Sequence, residues 1–285
     1  DHDSEGMPIA MLSNNKATFF LMGFIFKGFF MLFTNRFWIK LVENLSLTKS
    51  YINFEKITES GISCPNFRRI STYLPMQHIK NIIFDYGNVI FMLDFQKLKD
   101  GWKSLSIDDP DTFFSHGVQD PIFDAFDRGL VSVDEFRNFI RNKIGKLDLT
   151  DEEIVAAWNS LLLGVDEGTH EVLAELNKKY RTFLLSNINP IHYGYIMDYL
   201  KKEFGFENND HLFEKTYYSH LIGIRKPDKA IFEKVLRENN LKPEETLFID
   251  DIAANLEQAQ ALGINTFLMK APDTIQDFIK REGFI

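Results

Sequence analysis

The sequence predicts an α/β protein: a doubly wound parallel sheet of the Rossmann-like kind with an all-helical cap domain inserted into it. Three observations lead there. From residue 80 onward short apolar strands alternate with helical patterns, the rhythm of a parallel sheet built from βα units. Several of these strands run straight into polar residues, and open parallel sheets collect ligand chemistry at that C-terminal edge. The long stretch between the first two strands carries helix signals alone, which is the mark of an insertion.

Taken in order, the first strand is "KNIIFD" (80–85), where Ile82-Ile83-Phe84 run without alternation into Asp85 and the chain breaks at Gly87. Continuous apolar character indicates a strand buried on both faces. The insertion follows, with capping boxes at Ser132…Glu135 and Thr150…Glu153, and with Trp102, Phe126 and Trp158 as packing residues of a helical bundle. The second strand is "RTFLLSN" (181–187), closed by an Asn189 N-cap and Pro190 at the first helical position. "TYYSH" (216–220), "TLFID" (246–250) and "NTFLMK" (265–270) complete the sheet. Pro227 opens the helix after the third strand, and Gly263 ends the one after the fourth. The expected division is a core of 76–94 and 176–285 with a helical cap over 95–175.

A formal charge of −9 and a pI near 5.3 argue against a nucleic-acid partner, which would require a basic face. The single cysteine, Cys64, cannot form an internal disulfide, so a reducing, cytoplasmic setting is expected. Charge is uneven along the chain. Residues 1–75 hold eight Lys/Arg against six Asp/Glu, a net of +2, leaving −11 for the other 210 residues. Within them "ATFFLMGFIFKGFFMLF" (17–33) is apolar apart from Lys27. It is short of the roughly 20 apolar residues a span needs, and a central Lys costs about 2.5–3.5 kcal/mol. Three readings of 1–75 stay open: a mis-started extension upstream of Met76, a membrane anchor, or an accessory element. No catalytic group is expected there, so a chain starting at Met76 should be active.

Four strand ends carry the chemistry. Asp85 ends the first strand and Ser186-Asn187 the second; Lys226-Pro227 follows the third, and Asp250-Asp251 end the fourth. Carboxylates gathered on one edge repel unless a divalent cation neutralises them, and hard oxygen ligands suit Mg²⁺. Lys226 and Ser186 are then placed to meet the oxygens of an anion, for which phosphate is the obvious candidate. Each feature alone also reads as a cap or turn. His116, His192 and His220 share no metal spacing, and His192, six residues after Ser186, is expected nearest the pocket.

These residues resemble the haloacid dehalogenase superfamily, in the subgroup with a helical cap after the first motif. "IIFDYGNV", "FLLSN", "IGIRKPDKAIF" and "LFIDDIAANLEQAQALGI" stand in the family's order across residues 79–285. The Asp-x-Gly-Asn and Ser-Asn-x-Asn segments are closest to sugar phosphatases of the alpha-D-glucose-1-phosphate type. The resemblance implies Asp85 as the nucleophile that forms an aspartyl-phosphate and the Gly87 carbonyl as a metal ligand. It implies Ser186 and Asn187, with Gly87 and Asn88, around the phosphoryl group, and Lys226 balancing charge. Asp251, with Asp250 beside it, would hold Mg²⁺ together with Asp85 and the Gly87 carbonyl, and Asn255 would support them from one helical turn away.

One position departs from the family pattern. Where most phosphatases of the superfamily keep a second aspartate as general acid, two residues after the nucleophile, this chain has Gly87. Such an acid is worth about 10²–10⁴-fold in rate. Asp250, Asp94 or a cap residue could replace it, the leaving group could need no proton, or catalysis could be lost. A positive φ at Gly87 would make an aspartate there unwelcome. The expected function is therefore a Mg²⁺-dependent hydrolase of a small phosphorylated metabolite, a sugar phosphate first among them. The competing readings are a 2-haloacid dehalogenase, which lacks the same aspartate, and a non-catalytic binding protein.

Overall fold

A computed structural model describes residues 78–107 and 121–285 of the chain. Its centre is strand β1 (Asn81–Phe84), in which Ile82, Ile83 and Phe84 are all fully buried. Strand β4 (Arg181–Ser186) pairs with it on one side and β6 (Thr246–Asp250) on the other, both parallel, with Phe84 opposite Leu184 and Ile249. With β5 (Lys215–Tyr218) and β7 (Asn265–Leu268) the order becomes β5-β4-β1-β6-β7. The strand order reverses at β1, so the cleft beyond its C-terminus is the switch point where such sheets bind ligands.

Alternation along each strand builds two apolar layers. Ile82, Phe84, Leu184 and Ile249 face one cluster, which takes in helices α5 (Thr169–Asn177), α6 (Pro190–Phe204) and α10 (Ile275–Arg281). Ile83, Phe183, Leu185 and Phe248 face the other, with α8 (Lys229–Asn239) and α9 (Ala253–Gln260). Burying each of these side chains contributes about 1.5–3 kcal/mol, which is why the consecutive apolar runs cannot be slipped toward solvent. Asn189 caps α6 by accepting from the N–H of His192, as its place before Pro190 requires.

The insertion between β1 and β4 differs from the wholly helical reading. It opens with β2 (Phe91–Leu93), which pairs antiparallel with β3 (Leu162–Val165) about seventy residues later. Strands of three and four residues are too short to show a period of two, and only the tertiary fold brings them together. Between them stand α1 (Phe95–Ser104), α2 (Pro121–Asp127), α3 (Val133–Ile144) and α4 (Asp151–Asn159). Both capping boxes form, at Ser132 with Glu135 and at Thr150 with Glu153. Trp102, Phe126 and Trp158 are packing residues: Phe126 stacks on Phe136 at 4.1 Å, and Trp158 lies 5.9 Å from Trp102. Helix α5 begins within the 95–175 stretch, yet its Leu173 and Leu176 are buried in the layer shared with β4 and α10.

Among the described residues no helix is long and apolar enough to cross a membrane. The 17–33 segment, Cys64, Met76 and His116 lie outside them.

Candidate active site

Strand β1 ends by delivering Asp85 into the cleft, its backbone N–H still bonded to the Ile249 carbonyl at 2.8 Å. Its carboxylate accepts from the Tyr86 N–H at 2.7 Å and lies 2.6 Å from Lys226 Nζ. The chain then folds back in a tight turn in which Ile90 and Phe91 both donate to the Tyr86 carbonyl at 2.9 Å. Asn88 takes the left-handed conformation there, with φ of +54°, a role that asparagine fills at low cost. The expectation of a positive φ at Gly87 is thus displaced by one residue. What faces Gly87 is Leu93: a Cβ built on the glycine would stand 2.9 Å from Leu93 Cδ1.

Asn88, expected around the phosphoryl group, has its side chain engaged within the protein. Its N–H is bonded to the Phe91 carbonyl, its carboxamide oxygen accepts from the Leu93 N–H, and Nδ2 donates to Asp251 Oδ2 at 2.9 Å. It braces Asp251. Asn187 is engaged in the same manner, its side chain accepting from the Lys226 N–H and donating to the Lys226 carbonyl, each at 2.8 Å. A carboxamide matched to one residue's N–H and C=O fixes that residue's backbone, so the second strand end holds Lys226 in place.

Lys226 is 1% exposed and divides its ammonium between Asp85 at 2.6 Å and Asp250 Oδ2 at 2.8 Å, with the Phe248 ring 5.4 Å away. Burial pulls its pKa down, but the carboxylates of Asp85 and Asp250 more than offset that, and the net shift is upward. Asp250 is wholly buried and also accepts from the Ile252 N–H at 2.8 Å and from Asn255 Nδ2 at 3.0 Å. Asn255 therefore braces Asp250.

Oxygen atoms of Asp85, Asp250 and Asp251 lie within 4.8 Å of one another. Three carboxylates share one ammonium. Asp85 is pushed up to about 7, first by burial and then by Asp250 and Asp251, against the pull of Lys226. Burial also raises Asp251. Three clustered carboxylates with one ammonium among them are short of positive charge, and an all-oxygen donor set supplies what a hard divalent cation takes. The donor chemistry fits Mg²⁺. Both oxygens of Asp250 already accept hydrogen bonds.

Two candidate replacements for the missing acid are engaged in bonds of their own. Asp250 only accepts, from Lys226, Ile252 and Asn255. Asp94 is the N-cap of α1, its carboxylate accepting from Gln96 and Lys97 N–H at 2.8 and 3.2 Å. A cavity of about 60 Å³ beside the cluster is lined by Gly87, Leu93, Ser186, Asn187, Ile188 and His192. His192 reaches it as expected, stacked on Trp158 at 5.0 Å, but Nε2 meets the Trp158 carbonyl and Nδ1 meets Asn189 Nδ2. Burial holds its pKa down at about 4, so it is neutral at pH 7. His220 lies on the Ile188 carbonyl through Nδ1. Sequence reasoning missed Leu93, for which nothing in the residue order signals a contact with Gly87.

Several known proteins are similar to this chain. A D-ribitol-5-phosphate phosphatase of Bacteroides thetaiotaomicron is 35% identical over 193 residues, 66% of this chain and 91% of its own length. A sesquiterpene phosphatase of Aspergillus oryzae is 28% identical over 192 residues, 65% of this chain and 87% of its own. A solved haloacid dehalogenase family enzyme of B. thetaiotaomicron, an aspartate-to-alanine variant in complex with magnesium and inorganic phosphate, superposes with a TM-score of 0.66. It is 34% identical, and the match covers 70% of this chain and 98% of that one. The model of the haloacid dehalogenase-like hydrolases matches residues 79–263, which takes in all four strand ends, and the chain belongs to that family of hydrolytic enzymes.

Proposed function

We propose that this hydrolase is a Mg²⁺-dependent phosphatase of a small phosphorylated metabolite, working through an aspartyl-phosphate on Asp85. The observation that carries the reading is the Asp85–Lys226 contact at 2.6 Å inside a cluster of three carboxylates. A carboxylate aimed into a cleft with a buried cation against it can attack a phosphoryl group, provided the charge of both is shielded. Asp85, Asp251 and the Gly87 carbonyl would hold Mg²⁺, which when bound withdraws charge from the phosphoryl oxygens.

Asp85 Oδ attacks phosphorus and the bond to the alcohol oxygen breaks, leaving an acyl phosphate on Asp85 and an alkoxide that takes its proton from water. A second water then attacks the phosphorus of the acyl phosphate, giving up a proton as inorganic phosphate leaves and the Asp85 carboxylate is restored. Lys226 stays against the phosphoryl oxygens through both steps, while the Ser186 hydroxyl and the Asn187 N–H at the neighbouring strand end orient them. Asp250 and Asn187 keep Lys226 in place, and Asn88 keeps Asp251. The two phosphatase relatives are named for different alcohols, ribitol and a sesquiterpene, and share only the phosphate. A sugar or polyol monophosphate is the substrate class proposed here, on the strength of the 35% identical relative.

The test is phosphate release from sugar, polyol and aryl phosphates, with Mg²⁺ and with EDTA. Mg²⁺-dependent release is expected. Halide release from 2-haloacids without metal would establish the dehalogenase reading instead, and inertness toward both classes the non-catalytic one.

A further inference from the structure

The loop that carries Lys226 is also held from outside, by the insertion. Arg225 and Asp228 flank Lys226-Pro227, and both face α2 and the residue that follows it. Arg225 Nη1 lies 3.0 Å from Asp124 Oδ1, and its Nη2 lies 3.4 Å from Asp127 Oδ2. On the other flank Arg128 Nη1 lies 2.6 Å from Asp228 Oδ2, while its Nε lies 2.7 Å from Asp124 Oδ2. The backbones meet as well. Ser219 Oγ donates to the Asp127 carbonyl at 2.6 Å. Gly129 has φ of +68°, and a Cβ on it would stand 2.2 Å from the His220 carbonyl oxygen, so no other residue permits this approach.

Asp228 makes the arrangement informative. It stands at the N-cap of α8, where an aspartate ordinarily accepts from a backbone N–H of the first turn. Here it makes no such bond and turns to Arg128 instead. Local helix stability gives way to a contact between the insertion and the loop. Isolated surface ion pairs contribute little, but Arg128 bridges two carboxylates and shares Asp124 with Arg225, and a network with paired guanidinium contacts constrains geometry.

We infer that Asp124, Asp127 and Arg128 are positioning residues for Lys226. Helix α2 and Arg128 just beyond it clamp the two flanks of the loop from the insertion side while Asn187 clamps its backbone from the sheet side. Docking of the insertion thereby sets where the ammonium stands relative to Asp85. The inference rests on the proposed role of Lys226 in phosphoryl transfer, although the clamp itself is a matter of geometry.

The experiment compares Arg128→Gln, Arg128→Lys and Asp228→Asn in the full chain with Mg²⁺, alone and in a Lys226→Gln background. Arg128→Gln and Asp228→Asn should each lower kcat by about fivefold to tenfold with KM and Tm little changed, and Arg128→Lys should recover most of the loss. In the Lys226→Gln background the same changes should weaken neither residual turnover nor the affinity for inorganic phosphate measured by calorimetry. Equal proportional losses in both backgrounds, or an unchanged kcat, would overturn the inference. Should Arg128→Gln fail to fold, Asp228→Asn carries the test, since asparagine can still serve as an N-cap. Crystal structures of the two variants read the clamp without turnover: Lys226 Nζ should withdraw from Asp85, and an unmoved Nζ sinks the idea. A wild-type chain that releases no phosphate would count against the proposed function and leave that structural test standing.

Discussion

The C-terminal edge of the sheet and the interior of the helical insertion are both buried, and they are built on opposite terms. At the sheet edge three carboxylates cluster and one lysine pairs with two of them, so burial there costs free energy that packing elsewhere must offset. In the insertion Phe123, Phe126, Phe136 and Trp158 stack among themselves, with Phe126 and Phe136 parallel to within 9°, and burial there is stabilising throughout. The difference teaches where a substitution should be felt. Changes at the edge should alter chemistry and spare the fold, and changes in the aromatic cluster should do the reverse.

The largest effect is expected from Asp85→Asn, which should lower kcat on the order of 10³-fold or more. Because one of three crowded carboxylates loses its charge, Tm should hold or rise. A folded variant with wild-type turnover would break the contrast at its strongest point. Phe136→Ala is the counterpart in the insertion. Its fully buried ring should cost about 3–5 kcal/mol in denaturant unfolding, with Mg²⁺ dependence kept by the molecules that remain folded.

Two smaller changes sharpen the comparison at the edge itself. Asn88→Ala removes the brace on Asp251 and should raise the Mg²⁺ concentration for half-maximal activity about 10–100-fold, with KM for the ester little altered. Gly87→Asp restores a carboxyl at the family's acid position, where Leu93 Cδ1 stands in its way as the movable end of a side chain. Paired with Leu93→Ala, it should speed primary alkyl phosphates by up to about 10²-fold and flatten the dependence of kcat/KM on leaving-group pKa. A native enzyme that is already insensitive to the leaving group would show that another residue delivers the proton.

The smallest effect concerns pH. His192 takes a proton near pH 6.5 in the unfolded chain but stays neutral to about pH 4 when folded, because burial disfavours its cation. The folded state is therefore at full stability above pH 6.5 and loses it as pH falls through that window. His192→Gln should reduce the loss between pH 7 and pH 4.5 by about 1–2 kcal/mol, allowing for the half-buried ring, as read from urea midpoints at the two pH values. An unchanged slope would place the acid sensitivity in the carboxylates.

The residue order by itself determined the sheet and the roster of groups at its edge. Unbroken apolar runs such as Ile82-Ile83-Phe84 and Leu247-Phe248-Ile249 can be satisfied only by strands covered on both faces. A polar residue directly after such a run has one place to go, the C-terminal edge, so Asp85, Ser186 and Asp250 were legible before any coordinates. Helix caps were legible for the same local reason, since Ser132 and Thr150 act on residues three positions away. Only the tertiary structure decided how the edge works. Asn88 holds Asp251 from 163 residues away, Asn187 holds Lys226 from 39, and Arg128 meets Asp228 across 100. The β2–β3 ribbon and the contact of Leu93 with Gly87 likewise depend on where the insertion begins and returns. Local sequence carries no record of such pairings, because side-chain partners are chosen by proximity in the folded chain and each of these residues has an equally ordinary local reading as a cap, a turn or a solvated charge.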